Sequence, residues 1–240
     1  MRLDKFIADA NGLTRSQAKK LIKDGSVSVN QKNIKQTKYQ VDAKLDVVQL
    51  EGTTVIYQKY SYYMMNKPKN VVSATSDDSE KTVIDLIAET KRKGLFPVGR
   101  LDKDTTGLLL LTNDGELAHK LLSPKKHVTK IYQALIAGEV TEETIKIFAK
   151  GITLRDGETT KPAILKILAT NSKKKETKVE ISITEGKYHQ IKRMFGAVSM
   201  KVQELKRVQM GNLKLDEKVN LGEYRELTSE ELSNLVKKID

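Results

Sequence analysis

The 240-residue sequence has no cysteine, only three histidines, and no apolar run long enough to cross a bilayer. Without cysteine, disulfides, thiol nucleophiles and cysteine-based zinc sites are all excluded. The histidines, His119, His127 and His189, are too scattered in sequence to indicate a metal site. The N-terminal residues lack the apolar core of a signal peptide, so we expect a cytoplasmic protein without a membrane partner.

Three common chemical signatures are also missing. The sequence contains no GxxxxGK[ST] phosphate loop, no GxGxxG dinucleotide turn and no GxSxG nucleophile elbow. A carboxylate, acting alone or with a metal ion, is the chemistry that these absences leave open.

Positive charge is abundant. Lys and Arg number 43 against 31 Asp and Glu, a net charge of +12, and this excess favours a polyanionic partner such as nucleic acid. Residues 1–60 hold eleven basic and six acidic side chains, so the charge is denser there. Hydrophobic residues make up 38%, enough for a folded core.

The N-terminal segment reads as two short helices and a hairpin. Thr14 is a predicted N-cap, Gly25 a predicted helix stop, and SVSVN followed by NQKN a strand and turn. The second helix carries Arg15, Lys19 and Lys23 at intervals of four, a basic stripe on one face. The stripe is either an RNA-contacting surface or an ordinary solvated face.

Beyond a junction at residues 51–61, long strands alternate with occasional helices. Strict alternation predicts strands in VTKIYQALIAG and TKVEISIT, and EETIKIFAK before Gly151 predicts a helix. The spacing also predicts a helix over residues 82–93. Together the elements indicate an α+β fold with a largely antiparallel mixed sheet.

The stretch GRLDKDTTGLLLLTNDG, residues 99–115, places charges directly before a buried strand. If residues 100–104 are extended, Arg100, Asp102 and Asp104 share one side of the chain. These three residues are either reactive groups of an active site, a surface ion pair with a turn, or, for the two aspartates, a DxD pair that binds Mg²⁺ for phosphodiester chemistry.

Residues 1–50 resemble the S4 RNA-binding domain, of α-L type, through RLDKFIA, GLTRSQAKKLIKDGSVSVN and VDAKLDVV. The remainder resembles the bacterial rRNA pseudouridine synthases that carry an S4 domain. That similarity rests on the motif GRLDKDTTGLLLLTNDGELA and on four collinear segments: MNKP, VTKIY, EGKYHQIKRMF and LGEYRELT.

The resemblance implies an S4 domain over residues 1–58 and a catalytic domain over residues 59–240. The implied reaction is the isomerisation of a uridine to pseudouridine, which needs no cofactor, metal or small-molecule substrate. Within the family SPKKHVTKIY and GKYHQIKRMF are closest to the small-subunit enzyme, which acts on uridine 516 of 16S rRNA. A 23S uridine is the alternative target. The substrate is expected to be either free 16S rRNA or a pre-30S particle, and the protein is expected to be a monomer.

Site residues carry over by motif. Asp102 matches the catalytic carboxylate, which either attacks C1′ or removes a sugar proton. Arg100 matches the residue that holds the target nucleotide out of the stack, with pairing to Asp102 or Asp104 as the alternative. Tyr132 matches the tyrosine stacked on uracil, although a strand tyrosine is otherwise usually a core residue.

On the helix YHQIKRMF, periodicity places Lys192 at the edge of the apolar face and Arg193 nearly opposite. We therefore predict that Lys192 is held against Asp102 and that Arg193 contacts RNA phosphate. Lys67 of MNKP is expected to be mainly structural, with a possible position near the RNA backbone. The relatives have Arg where this chain has Lys192, so bidentate pairing is not expected here.

Two other functions stay open from sequence. A non-catalytic S4-type binding or assembly factor would bind rRNA whether or not Asp102 is intact. A Mg²⁺-dependent nuclease would use Asp102 and Asp104 and would be inhibited by chelation.

Overall fold

The computed structural model describes residues 1–237, and the chain forms two compact units. One unit comprises Met1–Ser61 with Ala88–Lys93, and the other comprises Tyr62–Ile87 and the chain from Gly94 onward. The domain boundary at residues 58 and 59 stays a prediction. Among the described residues no helix is both long and apolar enough to span a membrane.

The first unit packs two helices on a small antiparallel sheet. Its sheet has the order β2-β1-β3-β4. Thr14 caps the second helix, because its side chain accepts a hydrogen bond from the Gln17 backbone, and Gly25 follows that helix at φ +84°, as the sequence predicts. The elements are α1 (Leu3–Ala10), α2 (Arg15–Lys23), β1 (Val27–Val29), β2 (Lys32–Asn33), β3 (Val48–Leu50) and β4 (Thr53–Thr54).

The second unit is built on a nine-stranded sheet within the described part of the chain. The strand order is β13-β5-β7-β11-β8-β10-β9, with β12 paired to β11 and β6 paired to β7. The pair β7–β11 is parallel and the other pairs are antiparallel. The strands are β5 (Tyr62–Lys67), β6 (Phe96–Pro97), β7 (Thr106–Thr112), β8 (Lys130–Ala137), β9 (Ile164–Asn171), β10 (Glu176–Ile183), β11 (Lys201–Met210), β12 (Leu213–Lys214) and β13 (Tyr224–Glu226).

Helices cover both faces of this sheet, which explains the run of four leucines. Leu109 and Leu111 face a core shared with two helices, and Leu108 and Leu110 face a second core on the opposite side. Burial of each such side chain contributes about 1.5–3 kcal/mol. The helices are α3 (Gly115–Leu122), α4 (Glu142–Lys150), α5 (Gln190–Ala197) and α6 (Ser229–Lys237), of which α4 and α5 contribute to the first core and α3 and α6 to the second. The α+β class with a largely antiparallel mixed sheet is confirmed.

The helix predicted over residues 82–93 is wrong. The structure has two short 3₁₀ turns there, Ile84–Leu86 and Glu89–Lys91, separated by extended backbone at Ile87. Ile87 has φ −86° and ψ 143°, and Ala88 has ψ 135°, so the backbone leaves the helical conformation in the middle of the segment and a regular helix does not form. Residues 83, 84 and 87 are nevertheless buried, so the apolar pattern indicated burial without indicating helix.

Gly107 lets β7 and β11 approach each other closely. It has φ +102°, and a Cβ atom at this position would lie 2.2 Å from the carbonyl oxygen of Arg207. A side chain would therefore separate the parallel pair that joins the two halves of the sheet. Gly107 lies three residues after the RLDKD segment, within β7. Glycine is therefore required here by the packing of β7 against β11 and not by the RLDKD turn itself.

Candidate active site

The RLDKD segment is a turn fixed on both sides by buried hydrogen bonds. The Ser73 hydroxyl accepts from the Leu101 N–H at 3.0 Å and donates to the Leu101 carbonyl at 2.9 Å. The Thr105 N–H donates to the Asp102 carbonyl at 3.0 Å. Residues 100–104 are therefore not extended as the sequence reasoning assumed, although Lys103 still points away from Asp102, toward Glu80 at 2.7 Å.

Lys67 holds the backbone of this turn through hydrogen bonds from its ammonium group. Its ammonium donates to the carbonyls of Pro68, Asp102 and Thr105 at 3.0–3.1 Å, and its side chain is fully buried. The prediction of RNA contact by Lys67 is wrong, because a fully buried ammonium cannot reach RNA. Burial outweighs the attraction of the Asp104 and Asp102 carboxylates and lowers the pKa of Lys67 to about 8.

Asp102 lies between two basic groups from the segment that contains α5. Lys192 Nζ is 3.1 Å from Asp102 Oδ2 and 2.6 Å from Asp104 Oδ1, and His189 Nε2 is 3.5 Å from Asp102 Oδ1. The side chains of Asp102 and Lys192 are 27% and 25% exposed, so the pair is accessible yet partly desolvated. The structure thus brings together Asp102 and Lys192 as predicted from helix periodicity, and it adds His189.

The Lys192 ammonium is shared by two carboxylates, and this sharing shifts the pKa values of Lys192 and Asp104. Burial opposes the charged form of Lys192, but its hydrogen bonds to Asp104 and Asp102 outweigh burial and raise its pKa. The same hydrogen bond from Lys192 holds the pKa of Asp104 below its usual value. The arrangement is an ammonium bridge between the carboxylates of Asp102 and Asp104.

A pocket opens beside Asp102. Tyr132, Arg100 and Leu205 line it together with Asp102 and Lys192. Tyr132 is 8% exposed and shares the buried face of β8 with Ala134 and Ile136. Arg100 is exposed, and its guanidinium forms no ion pair or hydrogen bond within residues 1–237, so the pairing of Arg100 with Asp102 or Asp104 is not found.

Two further cations lie in the sheet near Tyr132, the buried Arg207 and the half-buried Lys130. Arg207 lies opposite Tyr132 in the β8–β11 pairing, is 2% exposed, and donates from Nε to the Leu108 carbonyl at 2.8 Å. Burial and the nearby Arg207 charge both lower the pKa of Lys130. These groups place positive charge beside the pocket, which suits an anionic substrate.

Arg193 does not project freely into solvent. Its guanidinium pairs with Asp156 and with Glu158, the latter at 3.4 Å, and donates to the Tyr188 carbonyl at 3.1 Å. Asp156 and Glu158 lie about 35 residues earlier, on the turn after α4. A phosphate contact by Arg193 stays a prediction, and it requires competition with these carboxylates.

In the first unit the basic stripe is present on α2. Lys19 and Lys23 are exposed and form no ion pair within the described residues. Arg15 is shared, because its guanidinium and that of Arg2 both hold the buried Asp4 carboxylate. Burial raises the pKa of Asp4, but the hydrogen bonds from Arg2 and Arg15 outweigh it, and the net pKa is lowered.

Sequence reasoning missed three features of the site. Ser73 and the carbonyl contacts of Lys67 fix the turn, the carboxylates of Asp156 and Glu158 hold Arg193, and His189 lies beside Asp102. The MNKP motif was a signal for Lys67. The partners of Arg193 carried no signal, since they are joined to it by tertiary structure alone. Among residues 1–237 no three His, Asp or Glu side chains are placed to share a metal ion.

Comparison with known sequence families agrees with this geometry. Residues 61–197 match the family described as RNA pseudouridylate synthase, and residues 1–47 match the S4 domain. An uncharacterized RNA pseudouridine synthase of Bacillus subtilis, YtzG, is 46% identical over 97% of both chains. The ribosomal small subunit pseudouridine synthase A of Haemophilus influenzae is 41% identical over 99% of this chain and all of that protein.

A solved structure supports the same grouping. A crystal structure of a pseudouridylate synthase covers 98% of this chain with 40% identity and a TM-score of 0.68. The sequence match extends over more than half of the chain, and the Asp102 turn, Tyr132 and α5 all lie within the matched residues. The chain therefore belongs to the RNA pseudouridylate synthase family, with an N-terminal S4 RNA-binding domain, and is an enzyme that isomerises uridine in RNA to pseudouridine.

Proposed function

We propose that this enzyme converts a uridine of 16S rRNA, uridine 516, to pseudouridine during maturation of the small ribosomal subunit. The observation that carries the proposal is end-to-end similarity to proteins named ribosomal small subunit pseudouridine synthase A. The protein of that name from Escherichia coli is 38% identical over 98% of this chain and all of its own length. The substrate is 16S rRNA, free or within a pre-30S particle, and the enzyme acts as a monomer in the cytoplasm.

Asp102 is the reactive group in this proposal. The reaction breaks the N1–C1′ bond, rotates the uracil, and forms a C5–C1′ bond; the proton leaves C5 and N1 gains one. One ionised carboxylate positioned at C1′ serves as the nucleophile or base. The buried turn fixes the Asp102 backbone, and the Lys192 ammonium lies 3.1 Å from the Asp102 carboxylate.

Three other residues serve binding and proton transfer. Tyr132, on the pocket wall, stacks on the flipped uracil and assists removal of the C5 proton. Arg100, unpaired at the rim of the pocket, fills the space that the flipped nucleotide leaves and so offsets an unstacking cost of a few kcal/mol. Lys192 and Arg193 both lie on α5, and only Lys192 reaches the carboxylate.

The S4 unit supplies sequence-independent affinity. Lys19 and Lys23 contact RNA phosphates, and Arg15 joins them while it stays attached to Asp4. Because such contacts release counterions, removal of Lys19 and Lys23 weakens binding and reduces its salt dependence without changing the choice of uridine.

The experiment is tritium release from [5-³H]uridine-labelled 16S and 23S rRNA fragments, with EDTA present, comparing the wild type with Asp102→Asn. We expect release from 16S rRNA by the wild type alone. Release from 23S rRNA instead would overturn the target but keep the chemistry. No release from naked rRNA or from particles, with tight binding retained, would identify a binding factor. RNA shortening that EDTA abolishes would identify a nuclease.

A further inference from the structure

Tyr188 is an exposed aromatic side chain adjacent in sequence to His189, which lines the pocket. It is 76% exposed, in a chain with only 5% aromatic residues. One face of its ring stacks on the His189 imidazole, with centroids 3.9 Å apart and planes 17° apart. At this exposure, the opposite ring face is open to solvent.

The aromatic pair is adjacent to the reactive carboxylate. His189 lines the same pocket as Asp102 and Tyr132, and its Nε2 atom lies 3.5 Å from Asp102 Oδ1. A base stacked on Tyr188 would therefore be separated from the reactive carboxylate by the Tyr188 ring and the His189 side chain. That separation suits the nucleotide next to the flipped uridine.

The backbone that presents the pair is fixed. His189 has φ 45° and ψ 35°, a left-handed conformation that a non-glycine residue adopts only where its surroundings impose it. The Tyr188 carbonyl accepts from Arg193, which Asp156 and Glu158 hold in turn. The ring is therefore pre-positioned, so little ordering cost is due on binding.

The acidic residue Glu158 helps to hold the segment that carries Tyr188. Glu158 pairs with Lys187 as well as with Arg193, so one carboxylate braces the segment on both sides of Tyr188. His189 also lines a second cavity of about 370 Å³, which has three cations, Arg155, Lys192 and Arg193, and one carboxylate, Asp156, in its wall. Positive charge there suits the sugar–phosphate backbone that must accompany a stacked base.

We propose that Tyr188 and His189 form a stacking platform for the nucleobase adjacent to the target uridine. This inference rests on the proposed function. Flipping a uridine leaves its neighbour with one unstacked face, and single-stranded bases stack readily on aromatic side chains. The platform replaces the lost base–base stacking and so contributes to opening of the substrate. Arg193 is a positioning residue for it.

The test is a double-mutant cycle between the side chain and the base. RNA fragments carry the target uridine with an intact or abasic neighbour, on the 5′ or the 3′ side. Binding is measured in an Asp102→Asn background, so that no turnover occurs, for Tyr188, Tyr188→Ala and Tyr188→Phe. Because Tyr188 is exposed, thermal unfolding of all three proteins should agree. Leu168→Ala, an exposed apolar change on β9, is the matched control.

We expect Tyr188→Ala to weaken binding about 5- to 150-fold and Tyr188→Phe to retain it within about twofold, because stacking uses the ring and not the hydroxyl. One abasic neighbour should weaken the wild-type protein by a similar factor and should weaken Tyr188→Ala little further. In turnover with Asp102 intact, Tyr188→Ala should raise KM and leave kcat within about threefold, since the ring does not touch the reacting atoms.

Two failures are distinguishable. Tritium release by the wild type, combined with independent effects of Tyr188→Ala and of both abasic positions, would overturn the platform and leave the proposed function intact. Binding by Tyr188→Ala within about twofold of wild type, or an equal loss in Leu168→Ala, would do the same. Absence of tritium release from every rRNA would overturn the proposed function and the platform with it.

Discussion

Replacement of Lys192 by Met removes the cation that bridges Asp102 and Asp104 while it keeps most of the apolar stem. At 3.1 Å and an effective dielectric constant near 20, the Coulomb attraction to Asp102 is about 5 kcal/mol, which is a ceiling. Both side chains are about one-quarter exposed, so solvent screens the pair. A hydrogen bond to a charged group contributes about 1.5–3 kcal/mol net.

We therefore expect Lys192→Met to lower kcat about 10- to 150-fold in single-turnover tritium release, a range set by the hydrogen-bond energy. Lys192→Arg keeps the charge and should retain activity within about tenfold, because guanidinium and ammonium differ in geometry. Asp104→Asn should cost less than about fivefold, since it leaves Lys192 with Asp102 as its one remaining carboxylate partner at this site.

The matched comparison is Arg193→Gln, on the same helix. Arg193 pairs with Asp156 and Glu158 and not with Asp102, so its loss should raise KM more than it lowers kcat. Equal losses of kcat in Lys192→Met and Arg193→Gln would refute the assignment of the two side chains to different functions. A Lys192→Met enzyme with wild-type kcat would refute the role of the ammonium bridge itself.

Three further predictions concern the supports of the site. Lys67→Met should lower the free energy of unfolding in urea by about 2–4 kcal/mol, because it leaves buried carbonyls without a donor. Between pH 8 and 10.5 Lys67 is protonated in the unfolded chain but largely deprotonated in the folded protein, because its pKa is lowered to about 8 on folding. The stability of the wild type relative to Lys67→Met should therefore rise with pH in this range, by at most about 1.4 kcal/mol per pH unit. A difference that does not change with pH in urea titrations would contradict the lowered pKa. Gly107→Ala should cost more than about 3 kcal/mol, measured by thermal unfolding, because its Cβ would meet the Arg207 backbone at 2.2 Å; a Tm close to wild type would contradict this.

Sequence patterns predicted most elements correctly where the interaction behind the pattern joins residues only a few positions apart. Thr14 caps α2 because its side chain accepts the backbone N–H three residues ahead, and Gly151 ends α4. Alternation found β8 and β10 because each presents one face to the core. The failure over residues 82–93 has a different cause, since the apolar spacing there indicated burial while extended backbone at Ile87 interrupts the segment.

For the site, the sequence by itself located the charged segment Arg100–Asp104, the strand behind it and the helix edge on which Lys192 lies, because each depends on neighbours within a few residues. Hydrogen bonds from the distant Ser73 and Lys67 decided that the charged segment is a turn and not extended. The pairing of Lys192 with Asp102, across about 90 positions, was expected from periodicity and resemblance together, but its distance was set by the packing of α5 on β11. Lys67 was expected to be mainly structural, but only the tertiary structure showed that carbonyls of Pro68, Asp102 and Thr105 surround its ammonium. The sequence likewise contains no indication that Tyr188 is held in place. Only the tertiary structure shows its stacking on His189 and the ion pairs of Arg193, because long-range packing decides which surface side chains are fixed.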